Sequence, residues 1–126
     1  MEELIERIAE FIIESRRLVV FTGAGASTES GIADFRSPGG VWDKYDPEDF
    51  YFQRFLASEE SREKYWQMST EMYASLRDAK PNRVHIAIAE LEKLDKLDCV
   101  ITQNIDGLHL IAIVFLAAAQ TRYGKP

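Results

Sequence analysis

Two short clusters carry residue types suited to holding a phosphorylated ligand. The first, Gly23-Ala24-Gly25-Ala26-Ser27, follows directly on the apolar run Leu18-Val19-Val20-Phe21. An apolar run of strand length that ends in Gly-x-Gly is how a buried parallel strand hands over to a phosphate-cradling turn. Without a Cβ the two glycines let a diphosphate approach the backbone, and the amides of the following helical turn point at the anion. Thr28 stands where a third glycine would complete Gly-x-Gly-x-x-Gly, and a Gly-Ala-Gly turn also serves ordinary helix–strand packing. The second cluster, Gln103-Asn104-Ile105-Asp106, ends the run Leu97-Asp98-Cys99-Val100-Ile101-Thr102. Polar groups at the carboxyl end of a buried parallel strand lie where open α/β sheets bind ligands. Between the clusters, Asp34-Phe35-Arg36 sets an acid, a ring and a base side by side; the same three residues also suit a surface turn anchored by one Phe.

The elements that must position these clusters follow from periodicity. Leu4, Ile5, Ile8, Phe11, Ile12 and Ser15 fall near helical spacing among Glu2, Glu3, Glu6, Arg7, Glu10 and Glu14, which predicts an amphipathic helix packed on the sheet beside Leu18–Phe21. Ser27 to Ser30 can open a short helix that Gly31 interrupts, and 33–49 reads as a long ordered loop of functional type. Ser58-Glu59-Glu60-Ser61 starts a helix that runs to about Ala79, with Tyr65, Met68, Met72 and Leu76 on one face and Trp66 and Tyr73 broadening it. Pro81-Asn82 caps a third helix, with Val84, Ala87, Ile88, Leu91 and Leu94 facing inward and His85 as a partly packed structural histidine. About seventy-five residues separate the two strands, whereas a plain βαβ unit takes about thirty, so most of that span is inserted loop and helix. Both strands are apolar on both faces, as parallel strands covered by helices on each side are. No acid about twenty residues past the glycine turn ends a second strand, so an ordinary dehydrogenase ribose clamp is not supported.

Composition narrows the function classes. The chain has 126 residues, 46% of them hydrophobic, with 15 basic against 21 acidic residues and a net charge of −6. That balance argues against non-specific nucleic-acid or anionic-membrane binding. The N-terminus opens with acids and shows no signal peptide, so a cytoplasmic location is expected. Cys99 is the one cysteine; its apolar surroundings favour a buried structural thiol over a nucleophile, and a four-cysteine zinc site is ruled out. The tail from Leu110 to Ala119 is uninterrupted apolar sequence, too short to cross a bilayer, which takes about twenty residues. It is expected to lie in part against Cys99–Thr102 as a strand or helix and to drive self-association.

The stretch Gly23-Ala24-Gly25-Ala26-Ser27-Thr28-Glu29-Ser30-Gly31-Ile32-Ala33-Asp34-Phe35-Arg36-Ser37, with Gly39-Gly40-Val41-Trp42 just beyond, resembles the signature of the sirtuins, the NAD-dependent protein deacylases. Thr102-Gln103-Asn104-Ile105-Asp106-Gly107-Leu108-His109 resembles a second block of the same family. The resemblance covers about Leu18 to His109. It implies an α/β fold, here an incomplete Rossmann-like, doubly wound parallel sheet with helices on both faces and a long cofactor-binding loop. Residues 1–109 would be the N-terminal part of an NAD-binding catalytic domain, and 110–126 an apolar tail that departs from the family pattern, as after a frameshift or premature stop.

The resemblance also implies a reaction. The acyl oxygen of a modified lysine attacks C1′ of the nicotinamide ribose, nicotinamide leaves, and the acyl group ends on ADP-ribose. Gly23, Ala24, Gly25 and Ser27 would cradle the diphosphate of NAD, and Gln103 with Asn104 would order the ribose. Asp106, with the Ile105 backbone, would clamp the carboxamide; Asn104 and Asp106 are the catalytic candidates. Phe35 would shield the cationic sugar, Asp34 and Arg36 would hold the loop and cofactor, and Ile32 and Trp42 complete the cofactor set. The family's catalytic histidine belongs to a later segment, as do the four zinc cysteines; neither is present, and His109 does not take the histidine's role. Ala33 replaces a proline common before Asp-Phe-Arg, which should loosen the loop. Met68 stands three residues after Tyr65, where an arginine would favour succinyl groups, so acetyl and other neutral acyl groups on a protein or peptide lysine are the expected substrates. The chain therefore reads as a sirtuin-type NAD-dependent protein lysine deacetylase, truncated and inactive as given. The alternative is a non-catalytic remnant that binds NAD or ADP-ribose, or an aberrant gene product.

Overall fold

A computed structural model describes residues 1–114. They fall into two units: Met1–Gly23 together with the chain from Pro81 onward, and Ala24–Lys80.

The first unit is built on two parallel strands, β1 (Leu18–Thr22) and β2 (Leu97–Thr102). Val19 pairs with Cys99, Val20 with Val100, Phe21 with Ile101 and Thr22 with Thr102, with a one-residue irregularity between Leu18 and Val19 that passes over Asp98. The parallel pairing is the one the two apolar runs predict. Their burial is not: Val19, Phe21, Cys99 and Ile101 are exposed, Phe21 at 64%. No described element covers that face, so Cys99 is an exposed thiol rather than a buried one.

Helix α1 (Glu2–Glu14) precedes β1 and has the predicted apolar stripe, yet none of its residues is buried. Its C-terminal end is tied down instead by Lys96, whose ammonium donates to the carbonyls of Ile13 and, at 3.2 Å, Ser15. The packing of α1 on the sheet expected from periodicity therefore does not occur among the described residues.

Helix α4 of the first unit, Arg83–Lys93 in the full order of helices α1 to α4, starts where sequence places it. The Asn82 carboxamide oxygen accepts from the Val84 amide at 2.9 Å and the His85 amide at 3.4 Å. His85 Nδ1 accepts from the Asn82 amide in return, at 3.3 Å. This reciprocal cap swings His85 inward and sets the buried face at His85, Ile88 and Ala89, the i, i+3, i+4 positions of one stripe. Val84, Ala87 and Leu94, expected inside, are exposed as a consequence. Residues 108–114 are helical and bury Leu108 and Ala112, again one turn apart. Of the apolar tail, 110–114 thus form helix, and 115–119 lie outside the described residues.

The second unit begins with a 3-10 helix, Ala24–Ser30, that stops at Gly31, then crosses the loop with short 3-10 turns at Val41–Asp43 and Pro47–Phe50. It ends in α2 (Phe52–Ala57) and α3 (Glu59–Asp78). The Ser58 hydroxyl accepts from the Ser61 amide at 3.2 Å and caps α3 as its sequence predicts. Met68, Met72 and Leu76 are half-buried, whereas Tyr65, Trp66 and Tyr73 are exposed, so the inward face is narrower than the stripe suggests. Arg62 donates to the carbonyls of Phe55 and Leu56, and the Lys64 ammonium sits 2.6 Å from Asp49, which joins α3 to the segment before it.

Candidate functional site

The first unit brings the ends of both strands together. Thr22 and Thr102 face each other across the pair, and the Thr22 hydroxyl donates to the Thr102 hydroxyl at 2.9 Å. The Gln103 amide donates to the Thr22 carbonyl at 3.1 Å, which prolongs the ladder by one bond. Asn104 then reaches back: its side-chain amide donates to the Gly23 carbonyl at 3.0 Å, and its backbone amide donates to Thr102 Oγ1 at 3.1 Å. Gly23 and Asn104 lie 81 residues apart in sequence and meet because the parallel register puts both strand ends at one edge. A Cβ on Gly23 would stand 3.3 Å from the Gln103 side-chain oxygen, so a side chain there requires Gln103 to give way slightly.

Asp106 is half-buried, and its Oδ1 accepts from the Leu108 amide at 2.9 Å, which starts the helix over 108–114. Ile105 is 91% exposed, so its side chain packs on nothing and its backbone stands clear at the strand end.

Sequence reasoning missed the support beneath this edge. His109 Nε2 lies 2.9 Å from Thr22 Oγ1. Which of the two donates depends on the His109 tautomer. Its Nδ1 is buried, with no hydrogen-bond partner among the described residues. The His109 ring lies against that of His85, with centroids 4.8 Å apart. His85 is completely buried rather than partly packed, and the signal that could have shown it was the Asn82-x-x-His85 capping pair. Burial first, and the His109 charge second, push the His85 imidazole below its ordinary value of 6.5, while Asp106 pulls it the other way. Because the folded value is depressed, the folded chain resists a proton that the unfolded chain accepts. The stability that His85 contributes is therefore full above pH 6.5 and is lost as pH falls from there toward the lowered folded value. Urea midpoints measured from pH 7.5 to 5 should fall with acid, and His85→Gln should flatten the slope; an unchanged slope in the variant removes His85 from that role.

The second unit holds the other candidates. Ser27 and Ile32 are buried, Ile32 in the core of its loop, where its amide donates to the Ser27 carbonyl at 3.4 Å. Ala24, Gly25 and Ala26 form the first turn of the 3-10 helix, and a methyl on Gly25 would meet no atom within 4 Å. Asp34 organises the loop. Its carboxylate accepts from the Arg36 amide at 3.1 Å, the Ser37 amide at 2.8 Å and the Ser37 hydroxyl at 2.5 Å. The Ser37 hydroxyl foremost, then its amide, hold the Asp34 carboxyl below its ordinary value. The Asp34 carbonyl accepts from Val41 and that of Phe35 from Trp42, which closes the loop on itself. Phe35 and Trp42 rings then lie 5.1 Å apart, with Phe50 5.5 Å beyond Trp42. Arg36 and Phe35 are exposed; an open cleft of about 500 Å³ is lined by Ile32, Asp34, Ser37 and Gly40 but not by these two side chains. Ser37 and Gly40 lie in the stretch that carries the resemblance but had no role there, and Phe50 is a support that the sequence did not single out.

Among the described residues no group of three or more His, Cys, Asp or Glu side chains could hold a metal ion, and no helix is long and apolar enough to cross a membrane.

Comparison with known proteins places these features. The Sir2 family matches residues 23–115. The NAD-dependent protein deacetylase of Sulfolobus acidocaldarius is 49% identical over 114 residues, which cover 87% of this chain and 42% of that protein. The NAD-dependent protein deacetylase of Thermodesulfovibrio yellowstonii is 48% identical over 110 residues, with the same shares covered. Among solved structures, a Sir2 enzyme superimposes with a TM-score of 0.76 at 46% identity, over 89% of this chain and 43% of that one. A Sir2 homolog–NAD complex does so with a TM-score of 0.70 at 44% identity, over 85% and 41%. The chain thus spans about two-fifths of the length of the curated relatives it matches.

Proposed function

The chain belongs to the Sir2 family, and from that membership we propose that it carries the dinucleotide-holding N-terminal part of an NAD-dependent protein lysine deacetylase. The observation that supports this most directly is the Asn104-to-Gly23 hydrogen bond at the shared strand edge, which puts the glycine turn and the Gln103–Asp106 cluster in one place. When bound, NAD supplies the sugar carbon that is attacked and the ADP-ribose that accepts the acyl group.

The residues present fit such a ligand. Gly23, without a Cβ, would let a diphosphate come close to its backbone, and a side chain there would press on the Gln103 side-chain oxygen at 3.3 Å. Asn104 is held through both its amides, by Gly23 and Thr102, in one orientation at the strand end, which suits the ordering of a ribose beside it. The Asp106 carboxylate is a pure acceptor and suits both amide protons of a carboxamide. In the second unit Asp34 holds its own loop through Ser37 and so fixes the backbone that carries the exposed Phe35 and Arg36. An acyl-lysine of a protein or peptide is the substrate this reading implies, with acetyl preferred over succinyl.

The family's base belongs to a later segment than the one matched here, and general-base assistance is worth roughly a hundred- to ten-thousand-fold. Titration calorimetry with NAD and with ADP-ribose should show saturable binding, reduced more than tenfold in Gly23→Val, while acetyl-peptide-dependent nicotinamide release stays undetectable. Absence of binding, or binding indifferent to Gly23→Val, overturns the reading; turnover by the chain overturns the assignment of the base to a later segment.

A further inference from the structure

Asn104 spans both arms of the site, and two hydrogen bonds hold it there. Its side-chain amide donates to the Gly23 carbonyl at 3.0 Å and its backbone amide to Thr102 Oγ1 at 3.1 Å. The second bond closes a Thr-x-Asn turn, in which a hydroxyl accepts from the amide two residues on. A threonine is stiff about its first side-chain torsion, so its oxygen is fixed relative to the backbone of its own strand. The Thr102 oxygen is braced from the opposite strand as well: it lies 2.9 Å from the hydroxyl of the buried Thr22, which itself lies 2.9 Å from His109 Nε2. A hydroxyl oxygen has two lone pairs, so in either tautomer of His109 one is left for the Asn104 amide. A line of polar contacts therefore runs from the helix over 108–114 through Thr22 and Thr102 to the residue that meets the glycine turn.

We propose that Thr102 is a positioning residue, whose hydroxyl sets the turn that aims Asn104 at the ribose on the far side of the ligand's diphosphate from adenosine. This rests on the proposed function above and adds to it the group that holds Asn104 in place. In this role Thr102 acts through Asn104 and needs no contact of its own with the ligand. The bond to Gly23 fixes one end of the Asn104 side chain but leaves the backbone free to turn about it; the bond to Thr102 fixes that backbone. Gln103 is held independently, since its amide donates to the Thr22 carbonyl at 3.1 Å. Loss of the Thr102 hydroxyl should therefore be felt from Asn104 onward and not before it. Thr102 is also exposed, so that loss leaves the Asn104 amide to water rather than buried and unpaired, and the fold tolerates it.

The test uses the full 126-residue chain with Thr102→Val, which keeps the branched shape, and Thr102→Ser, which keeps the hydroxyl. Amide hydrogen exchange, read by NMR on the free chain, should be at least threefold faster at Asn104 in Thr102→Val and unchanged within twofold at Gln103, with Thr102→Ser behaving as the parent. Titration calorimetry with ADP-ribose should show at least fivefold weaker binding to Thr102→Val and parental affinity for Thr102→Ser. ADP, which lacks the second ribose, should bind Thr102→Val as it binds the parent. Unchanged exchange at Asn104, unchanged ADP-ribose affinity in Thr102→Val, an equal loss for ADP, or a serine variant as weak as the valine one overturns the proposal. A parent that does not bind ADP-ribose overturns the proposed function, and the exchange rates still report whether Thr102 holds Asn104. A parent that binds it no better than Thr102→Val overturns this inference alone.

Discussion

Gly40→Ala is expected to open the Asp34–Trp42 loop and to lower the stability of the second unit by about 3 kcal/mol, at the severe end of overpacking substitutions. Gly40 is buried, and its amide donates to the Ser37 carbonyl at 2.7 Å. A Cβ there would stand 2.8 Å from the Asp34 carbonyl oxygen, 2.8 Å from that of Ser37 and 3.0 Å from the Asp34 carboxylate. Two of the three are backbone atoms already engaged in hydrogen bonds, so relief requires moving the chain rather than rotating a side chain. The Asp34 carbonyl would have to release the Val41 amide, and the Phe35–Trp42 ring contact goes with it. Gly25→Ala is the control: its methyl meets no protein atom within 4 Å, and stability should stay within about 0.5 kcal/mol of the parent. Urea unfolding followed by tryptophan fluorescence separates the two, and equal midpoints for both variants would remove Gly40 from its role.

Leu108→Ala should cost the first unit about 2–5 kcal/mol, a large share of the 5–15 kcal/mol typical of a whole domain. Leu108 is 1% exposed and Ala112, one turn on, is fully buried; with Ile88, Ala89 and His85 they make up the small core of this unit. The helix over 108–114 also carries His109 to Thr22, so loosening it removes the 2.9 Å contact that supports the strand ends. Leu108→Met, close in volume, should cost less than about 1.5 kcal/mol. Denaturant unfolding by circular dichroism provides the comparison, and an alanine variant within 1 kcal/mol of the parent contradicts the assignment of Leu108 to the core.

Much of the site is local in sequence and was legible there. The glycine turn, the strand-terminal Gln103–Asp106 cluster and the Asp34–Arg36 triplet are contiguous runs whose chemistry is carried by residue type and order. The Ser58 and Asn82 caps were equally plain, because a cap depends on a side chain and on amides two or three residues away. The pairing of the strands also followed, since two apolar runs of strand length joined by more than a hairpin's worth of chain favour a parallel crossover. The short helix Phe52–Ala57 was not seen, because six residues are too few to show a period.

What the amino-acid sequence determined by itself is the residue types and order of the glycine turn and of the strand-terminal cluster, and which elements flank them, since both are set by neighbours along the chain. Only the tertiary structure decided what each apolar residue packs against. Val19, Phe21, Ile101 and the stripe of α1 are apolar and exposed, Cys99 is open, and His85, polar by type, is buried at the centre. Hydrophobic periodicity states which faces avoid water, but burial depends on residues far away in the chain supplying a surface to meet them. The reciprocal cap with Asn82 and the ring of His109 supply one for His85, and nothing among the described residues supplies one for the open face of the sheet.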